Sequence, residues 1–234
     1  MKTALLVLTY NEIEGMRAIM PQVKREWVDR IYVVDGGSDD GTVEYALAQG
    51  YEVIRQKRKG LRHAYIEAME QIEGDVVVAF SPDGNSMPEA IPALIAKIRE
   101  GYDMVIASRY LDNARSEDDG LITGFGNAVF TKMINLLYHG SYTDSLVMYR
   151  AFYKSLFYEL DLHREDAYRP EKCCFTTVCI MPLLSIRSAK RKKKIAEIPY
   201  DEPQRIGGQR KLQIIRWGTA YLLQTIRELY YWRV

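Results

Sequence analysis

The chain alternates short unbroken apolar runs with longer stretches of helical periodicity. Residues 4–8, 31–34, 51–54, 76–80 and 104–107 each predict a strand. The unbroken apolar run over residues 4–8 marks a strand covered on both faces, whereas Glu52 interrupts the third strand. Between them, residues 12–26, 42–49 and 61–72 predict helices, the second closed by Gly50. A further helix opens at Ser86-Met87-Pro88-Glu89, which has capping-box spacing, and ends at Gly101. Strands alternating with helices in this way imply an α/β fold with a mostly parallel sheet flanked by helices. After Tyr110 the rhythm changes. Residues 112–120 are polar and acidic and predict a mobile loop, 127–137 a helix, 145–151 and 195–198 strands, and 212–234 an aromatic-rich helix. No internal repeat or low-complexity linker divides the chain, so the second half is expected to be an elaboration packed on the first.

The polar residues gather after the strands. Thr9, Tyr10, Asn11 and Glu12 follow the first; Asp35, Gly36, Gly37 and Ser38 through Thr42 the second; Arg58, Lys59 and Gly60 the third; Ser81, Pro82, Asp83, Gly84 and Asn85 the fourth; Ser108, Arg109 and Tyr110 the fifth. In an open parallel sheet the carboxyl ends of the strands line one crevice, where ligands bind. The chemistry suggested is the handling of a nucleoside diphosphate. Asp35 can accept hydrogen bonds from a base or ribose, and Gly36 lets backbone approach a ligand closely. Asp83 and Asn85 offer two hard oxygen donors suited to Mg²⁺ or Mn²⁺. Arg109 can neutralise a departing diphosphate. No G-x-G-x-x-G follows the first strand and no G-x-x-x-x-G-K-[ST] is present, which argues against a dinucleotide-binding or P-loop protein.

Charge and composition narrow the field further. Lys and Arg number 32 against 31 Asp and Glu, a net charge of +1, which speaks against a dedicated nucleic-acid binder. Three cysteines rule out a disulfide framework, and three scattered histidines a His-based metal cluster. The start of the chain lacks a signal-peptide core, and the longest uncharged stretch, residues 173–186, is too short for an ordinary membrane span. The expected location is cytoplasmic, at the inner face of a membrane if the substrate is a lipid. The basic run from Arg187 to Lys194 reads as a solvated face, and the aromatic tail, with Trp217, Tyr221, Tyr230, Tyr231 and Trp232, as a helix that packs on the core, on a partner or on a membrane surface.

The strand-end motifs Leu8-Thr9-Tyr10-Asn11-Glu12, Val33-Val34-Asp35-Gly36-Gly37-Ser38-Asp39-Asp40-Gly41-Thr42, Asp83-Gly84-Asn85 with Pro88-Glu89, and Ala107-Ser108-Arg109-Tyr110 resemble those of the family-2 inverting glycosyltransferases of GT-A fold. Ile198-Pro199, the segment from Arg205 to Leu212 and the segment from Asp144 to Arg150 are similar to the dolichol-phosphate mannosyltransferase and polyprenyl-phosphate hexosyltransferase branch. The resemblance implies a GT-A domain over residues 1–215, with 216–234 as the appended helix. It implies that Thr9, Tyr10, Glu12, Asp35 and Gly36 contact a nucleoside-diphosphate sugar, that Asp83 and Asn85 bind Mg²⁺ or Mn²⁺, and that Arg109, Arg205 and Lys211 grip the diphosphate or the acceptor phosphate. Asp83, Arg109 and Asp144 are the implied catalytic set. Two positions depart from the pattern: Ser81 stands where the family usually has a first Asp, and Gly124-Phe125 where the branch tends to carry an Arg.

The implied reaction inverts the anomeric carbon. A hydroxyl acceptor needs a general base, whereas a lipid phosphate is already anionic and needs none. The pair Glu165-Asp166 lies in a context unlike that of the family's usual base, which favours a polyprenyl or dolichyl phosphate acceptor; a glycan hydroxyl is the alternative. Two further readings stay open: a nucleotidyltransferase, which would need a Gly-rich phosphate loop after the first strand, and a degenerate transferase that binds a nucleotide sugar without turnover. The oligomeric state is not legible.

Overall fold

The computed structural model describes residues 1–207 and 213–232. In chain order the elements are β1 (Thr3–Thr9), α1 (Ile13–Ile19), β2 (Arg30–Asp35), α2 (Thr42–Ala48), β3 (Glu52–Arg55), α3 (Leu61–Gln71), β4 (Val76–Phe80), α4 (Ala90–Arg99), β5 (Met104–Ser108), α5 (Leu121–Tyr138), β6 (Arg150–Tyr153), α6 (Lys154–Glu159), α7 (Pro170–Cys173), α8 (Met181–Lys190), β7 (Ile195–Pro199) and α9 (Ile214–Arg227). The strands form one sheet in the order β3-β2-β1-β4-β6-β5-β7. All neighbours are parallel except β6, which runs antiparallel to both β4 and β5. This is the expected mostly parallel α/β sheet.

Every residue of β1, β4 and β5 is buried. Successive side chains in a strand point to opposite faces, so burial at every position requires cover on both. Each fully buried Leu or Val there contributes on the order of 2 kcal/mol. The chain steps from β1 to β2 on one side and later to β4 on the other. That reversal opens a crevice at the carboxyl ends of β1 and β4.

Several elements differ from the sequence expectation, each for a local reason. The first helix stops at Ile19 and gives way to short 3₁₀ turns over Met20–Gln22 and Arg25–Trp27. Pro21 has no N–H to continue the ladder and its ring crowds the preceding turn. Ser86 does not cap α4, which starts at Ala90; its hydroxyl accepts from the Ser81 N–H instead. The strand expected over residues 145–151 begins only at Arg150, because the carbonyls of Ser145 and Val147 turn inward to the fully buried Arg150 guanidinium rather than into a ladder. The acidic loop is tied down, with Glu117 N donating to Glu202 O at 2.8 Å and Arg115 N to the Asp201 carboxylate at 2.9 Å.

The basic run is not wholly solvated. Arg187 is fully buried in α8, where its guanidinium bonds both oxygens of the equally buried Glu228 at 3.0 Å and stacks on Trp232. Lys190 donates to the carbonyls of Glu228 and Trp232. These contacts, with those of α9 to α5 and α7, pin the C-terminal helix to the body of the molecule.

Candidate active site

The loops after β1 and β2 are knitted together. Gly36 N donates to Thr9 O at 2.9 Å, and Asn11 and Asp39 exchange reciprocal bonds at 3.0 Å, which holds Asn11 in a left-handed conformation (φ 54°). Glu12 is buried, its N–H donating to Thr42 Oγ1 at 3.1 Å, while Tyr10 stands exposed at the rim. Asp35 is almost fully buried and accepts from the N–H groups of Gly37 at 2.8 Å and Ser38 at 3.0 Å. Its carboxylate therefore shapes the turn, and it is Gly36 rather than Asp35 that lines the cavity.

Beyond β4 the chain turns sharply. Asp83 is buried, and its carboxylate meets Arg205 Nη1 at 2.7 Å and accepts from Asn85 N at 3.1 Å. Arg205 also approaches Glu12 at 4.0 Å, and Ile206 N donates to Asp83 O at 2.6 Å. Gly84 takes φ +93°, and a side chain there would press on Ile206. Asn85 Nδ2 donates to Asp118 Oδ2 at 3.0 Å, which fixes the amide orientation, since a carboxylate only accepts. That leaves Asn85 Oδ1 buried, without a hydrogen-bond partner among the described residues.

Arg109, after β5, is enclosed by carboxylates: Asp144 at 2.7 Å, Asp119 at 3.0 Å and Glu202 at 3.1 Å. Burial alone would lower its pKa, but Asp144, Glu202 and Asp119 together raise it well above the usual value, so the guanidinium stays charged. Arg109 and Asp144 lie behind the cavity wall, and only Glu202 of this cluster lines it with Asp118.

These loops enclose a cavity of about 1010 Å³ at the carboxyl end of the sheet. Of the residues expected from the sequence, Thr9, Tyr10, Glu12, Gly36, Asp83, Asn85 and Arg205 line it together; Lys211 lies outside the described residues. A volume of this size holds a nucleotide-sized ligand. The pairing of Asp83 with the unsatisfied Asn85 oxygen fits a hard divalent cation. The described residues contain no group of three His, Cys, Asp or Glu able to hold a metal ion by themselves.

Residues 5–161 match the profile of glycosyl transferase family 2. The chain belongs to that family. It is a glycosyltransferase, and the matched residues carry strands β1 to β6. Among its relatives are glycosyltransferase AglJ of Haloferax volcanii, 28% identical over 95% of this chain and 70% of that protein, and dolichyl-phosphate hexose transferase of the same organism, 28% identical over 93% of this chain and 89% of that protein. Dolichol-phosphate mannosyltransferase of Pyrococcus furiosus is 36% identical over half of this chain and 36% of its own length. In fold the transferase is similar to glucosyl-3-phosphoglycerate synthase from Mycobacterium tuberculosis, crystallised with Mn²⁺, UDP and phosphoglyceric acid (TM-score 0.67, 20% identity, 97% of this chain and 78% of that one). Its GT-A architecture is thus the one expected from the sequence.

Sequence reasoning overlooked part of the cavity wall. Tyr200 and Glu202 follow β7, so the rule that strand ends build the site, applied once more, would have found them. Glu171, Lys172, Phe175 and Trp217 come from irregular segments and helix ends that carry no such signal. Burial raises the pKa of Glu202, offset in part by Arg109 and Ser116, and likewise that of Glu171, offset by the Val178 N–H and Arg62.

Proposed function

We propose that this enzyme transfers a hexose from a GDP- or UDP-sugar to a polyprenyl or dolichyl phosphate, with inversion at the anomeric carbon and with Mg²⁺ or Mn²⁺. The observation that carries the reading is the convergence of Asp83, the unsatisfied Asn85 oxygen and Arg205 in one cavity with Thr9, Tyr10, Glu12 and Gly36. In this reading Thr9, Tyr10, Glu12 and Gly36 cradle the nucleoside, with Asp35 holding the turn that positions Gly36. Asp83 and Asn85 would hold the metal, which would supply positive charge against the diphosphate. Arg205 and Lys211 bind phosphate oxygens, and Arg109 and Asp144 act as positioning residues by fixing Glu202 and Asp119. An acceptor phosphate oxygen forms the new bond to the anomeric carbon as the bond to the diphosphate breaks, and the nucleoside diphosphate departs on the opposite face.

The state of the carboxylates supports an acceptor that is ionised beforehand. Asp144 is bonded to Arg109, Glu171 to Arg62, Glu202 to Arg109 and Asp83 to Arg205. Asp166 lies away from the cavity, its pKa held down at about 2 by Arg164 and the Tyr231 hydroxyl. A carboxylate oxygen engaged by a guanidinium is not free to bond an acceptor hydroxyl, and hydrogen-bond reach is the first requirement of a base. The relatives named for dolichyl phosphate point the same way. The second reading, a glycan hydroxyl acceptor, draws on Glu202, whose raised pKa suits a base.

The test supplies labelled GDP- and UDP-hexoses with Mn²⁺ to the enzyme, together with either a short-chain polyprenyl phosphate or a free glycan. The proposal expects label in the lipid phosphate and release of the nucleoside diphosphate. Transfer to the glycan alone, abolished by Glu202→Gln, would establish the second reading, and donor binding with no turnover would mark a degenerate binder.

A further inference from the structure

Next to Gly36 the cavity is walled by the connection between β3 and α3. Gln56, Gly60, Leu61 and Ala64 line it there, beside Leu8 and Val34. This connection is held from several sides. The N–H groups of Lys57 and Arg58 donate to the Glu67 carboxylate at 2.7 and 3.2 Å, and the Arg58 guanidinium meets Glu165 at 2.6 Å. A side chain at Gly60 would press on Thr177, so the 165–178 segment closes over the loop. Gln56 N donates to Asp35 O at 2.9 Å, which sets the Gln56 side chain beside the Asp35 turn.

The Gln56 amide has a fixed orientation. Its Nε2 lies 3.0 Å from the Arg58 carbonyl oxygen and 3.0 Å from that of Gly60. A carbonyl oxygen only accepts, so the two bonds use both N–H groups of the amide and forbid its reversal. Oε1 turns the other way, toward Gly36, where a Cβ would lie 3.2 Å from it. Among the described residues no donor meets this oxygen. Asp35, the acceptor that the sequence suggests for a base, is occupied. Its carboxylate takes the N–H groups of Gly37 and Ser38 and the Ser38 hydroxyl, and it does not line the cavity. The wall thus offers an apolar surface from Leu8, Val34, Leu61 and Ala64 with one unengaged acceptor at its edge.

We infer that Gln56 selects the base of the donor: its Oε1 accepts a hydrogen bond from a ring N–H, so the site takes a base with a lactam N–H, uracil or guanine, and rejects cytosine and adenine. The inference rests on the nucleotide-sugar reading above and adds what discriminates among nucleotides. Uracil carries a hydrogen on N3 and guanine on N1. Cytosine and adenine carry a lone pair at the same positions, which would face the lone pairs of Oε1. The amide cannot turn to offer an N–H instead without giving up its bonds to Arg58 O and Gly60 O. A site built to pair with a substrate N–H rejects the analogue that lacks it far more strongly than an apolar pocket rejects a change of shape, because a polar group is left unpaired. Gly36 contributes by having no side chain, which leaves the ring edge free to reach the oxygen.

The test is isothermal titration of UDP, CDP, GDP and ADP, each with Mn²⁺, into the wild-type protein, Gln56→Leu and Gln56→Glu. The wild type should prefer UDP over CDP, or GDP over ADP, by at least about tenfold. Gln56→Leu removes the acceptor, and the preference should shrink to within about threefold. Gln56→Glu keeps an acceptor but loses both bonds to the loop carbonyls. It should bind every nucleotide more weakly and still prefer the lactam base. Loosening of the loop alone would weaken both members of a pair equally, since they share ribose and diphosphate, so the ratio reports the base contact and not the brace. A wild type that distinguishes neither pair, a preference that survives Gln56→Leu, or one that is lost in Gln56→Glu would overturn the role of Gln56 and leave the donor reading standing. Absence of binding by all four nucleotides would remove the donor reading, and this inference with it.

Discussion

Arg205 Nη1 lies 2.7 Å from Asp83 Oδ2, joining the segment after β7 to the loop after β4 across the mouth of the cavity. The pair gives Asp83 a cationic partner and poises the guanidinium where a diphosphate would lie. Replacing Arg205 with Ala is expected to lower kcat/KM by about a hundredfold, the usual loss when one donor to a developing anion is removed. The melting temperature should fall as well, because buried Asp83 is left without its cationic partner. Steady-state kinetics and a thermal melt on the same preparation check both.

Gly15 packs α1 directly against the Asp83 loop. A methyl group there would collide with the Pro82 carbonyl oxygen, which belongs to backbone and cannot swing aside. Gly15→Ala should cost roughly 1–3 kcal/mol of stability through overpacking. It should also lower kcat by about a hundredfold by shifting Asp83. Denaturant unfolding together with single-turnover kinetics separates the two effects.

Arg187 and Glu228 are both fully buried, so each depends on the other. Glu228→Gln is expected to destabilise the protein by roughly 3–5 kcal/mol, because it leaves a buried guanidinium without its counter-charge. The double variant Arg187→Met/Glu228→Leu should recover much of that loss, because it leaves no charge to desolvate. Urea unfolding of the three proteins gives the comparison.

Asp166 links the segment before α7 to the C-terminal tail through Arg164 and the Tyr231 hydroxyl. Its pKa is held at about 2 in the folded protein, below its ordinary value in an unfolded chain. A depressed carboxylate contributes stability that is fully present above the unfolded pKa and is lost as pH falls through the folded one. The contribution should therefore disappear between about pH 4 and pH 2. Tyr231→Phe should raise the Asp166 pKa and shrink that contribution, as followed by NMR titration and by acid unfolding.

The parts of the molecule that were legible in the sequence are those in which one local rule governs a segment. β1, β4 and β5 are apolar at almost every position because they are covered on both faces, and that pattern needs no knowledge of partners. The strand-end residues Thr9, Asp83 and Asn85 were legible because parallel topology places them together. What escaped depends on residues distant in the chain. Arg187 sits in a basic run and reads as solvated until Glu228 is seen 41 residues away. The sequence places Arg109 and Asp144 near the site but does not show that Asp119 and Glu202 close around the same guanidinium. The sequence shows α5 and α9 as helical, but not that Asn127, Thr131 and Gln224 are buried while Leu121, Phe125 and Ile215 face outward, since that depends on where distant elements pack.

The measurement that tests the central claim most directly is isothermal titration of GDP and UDP, each with and without Mn²⁺, into the wild-type protein and into Asp83→Asn and Asn85→Ala. The account predicts that one of the nucleotides binds, that Mn²⁺ tightens its binding at least about tenfold, and that both variants lose this dependence. Absence of binding by both nucleotides, or affinity indifferent to Mn²⁺ and to both substitutions, would contradict it.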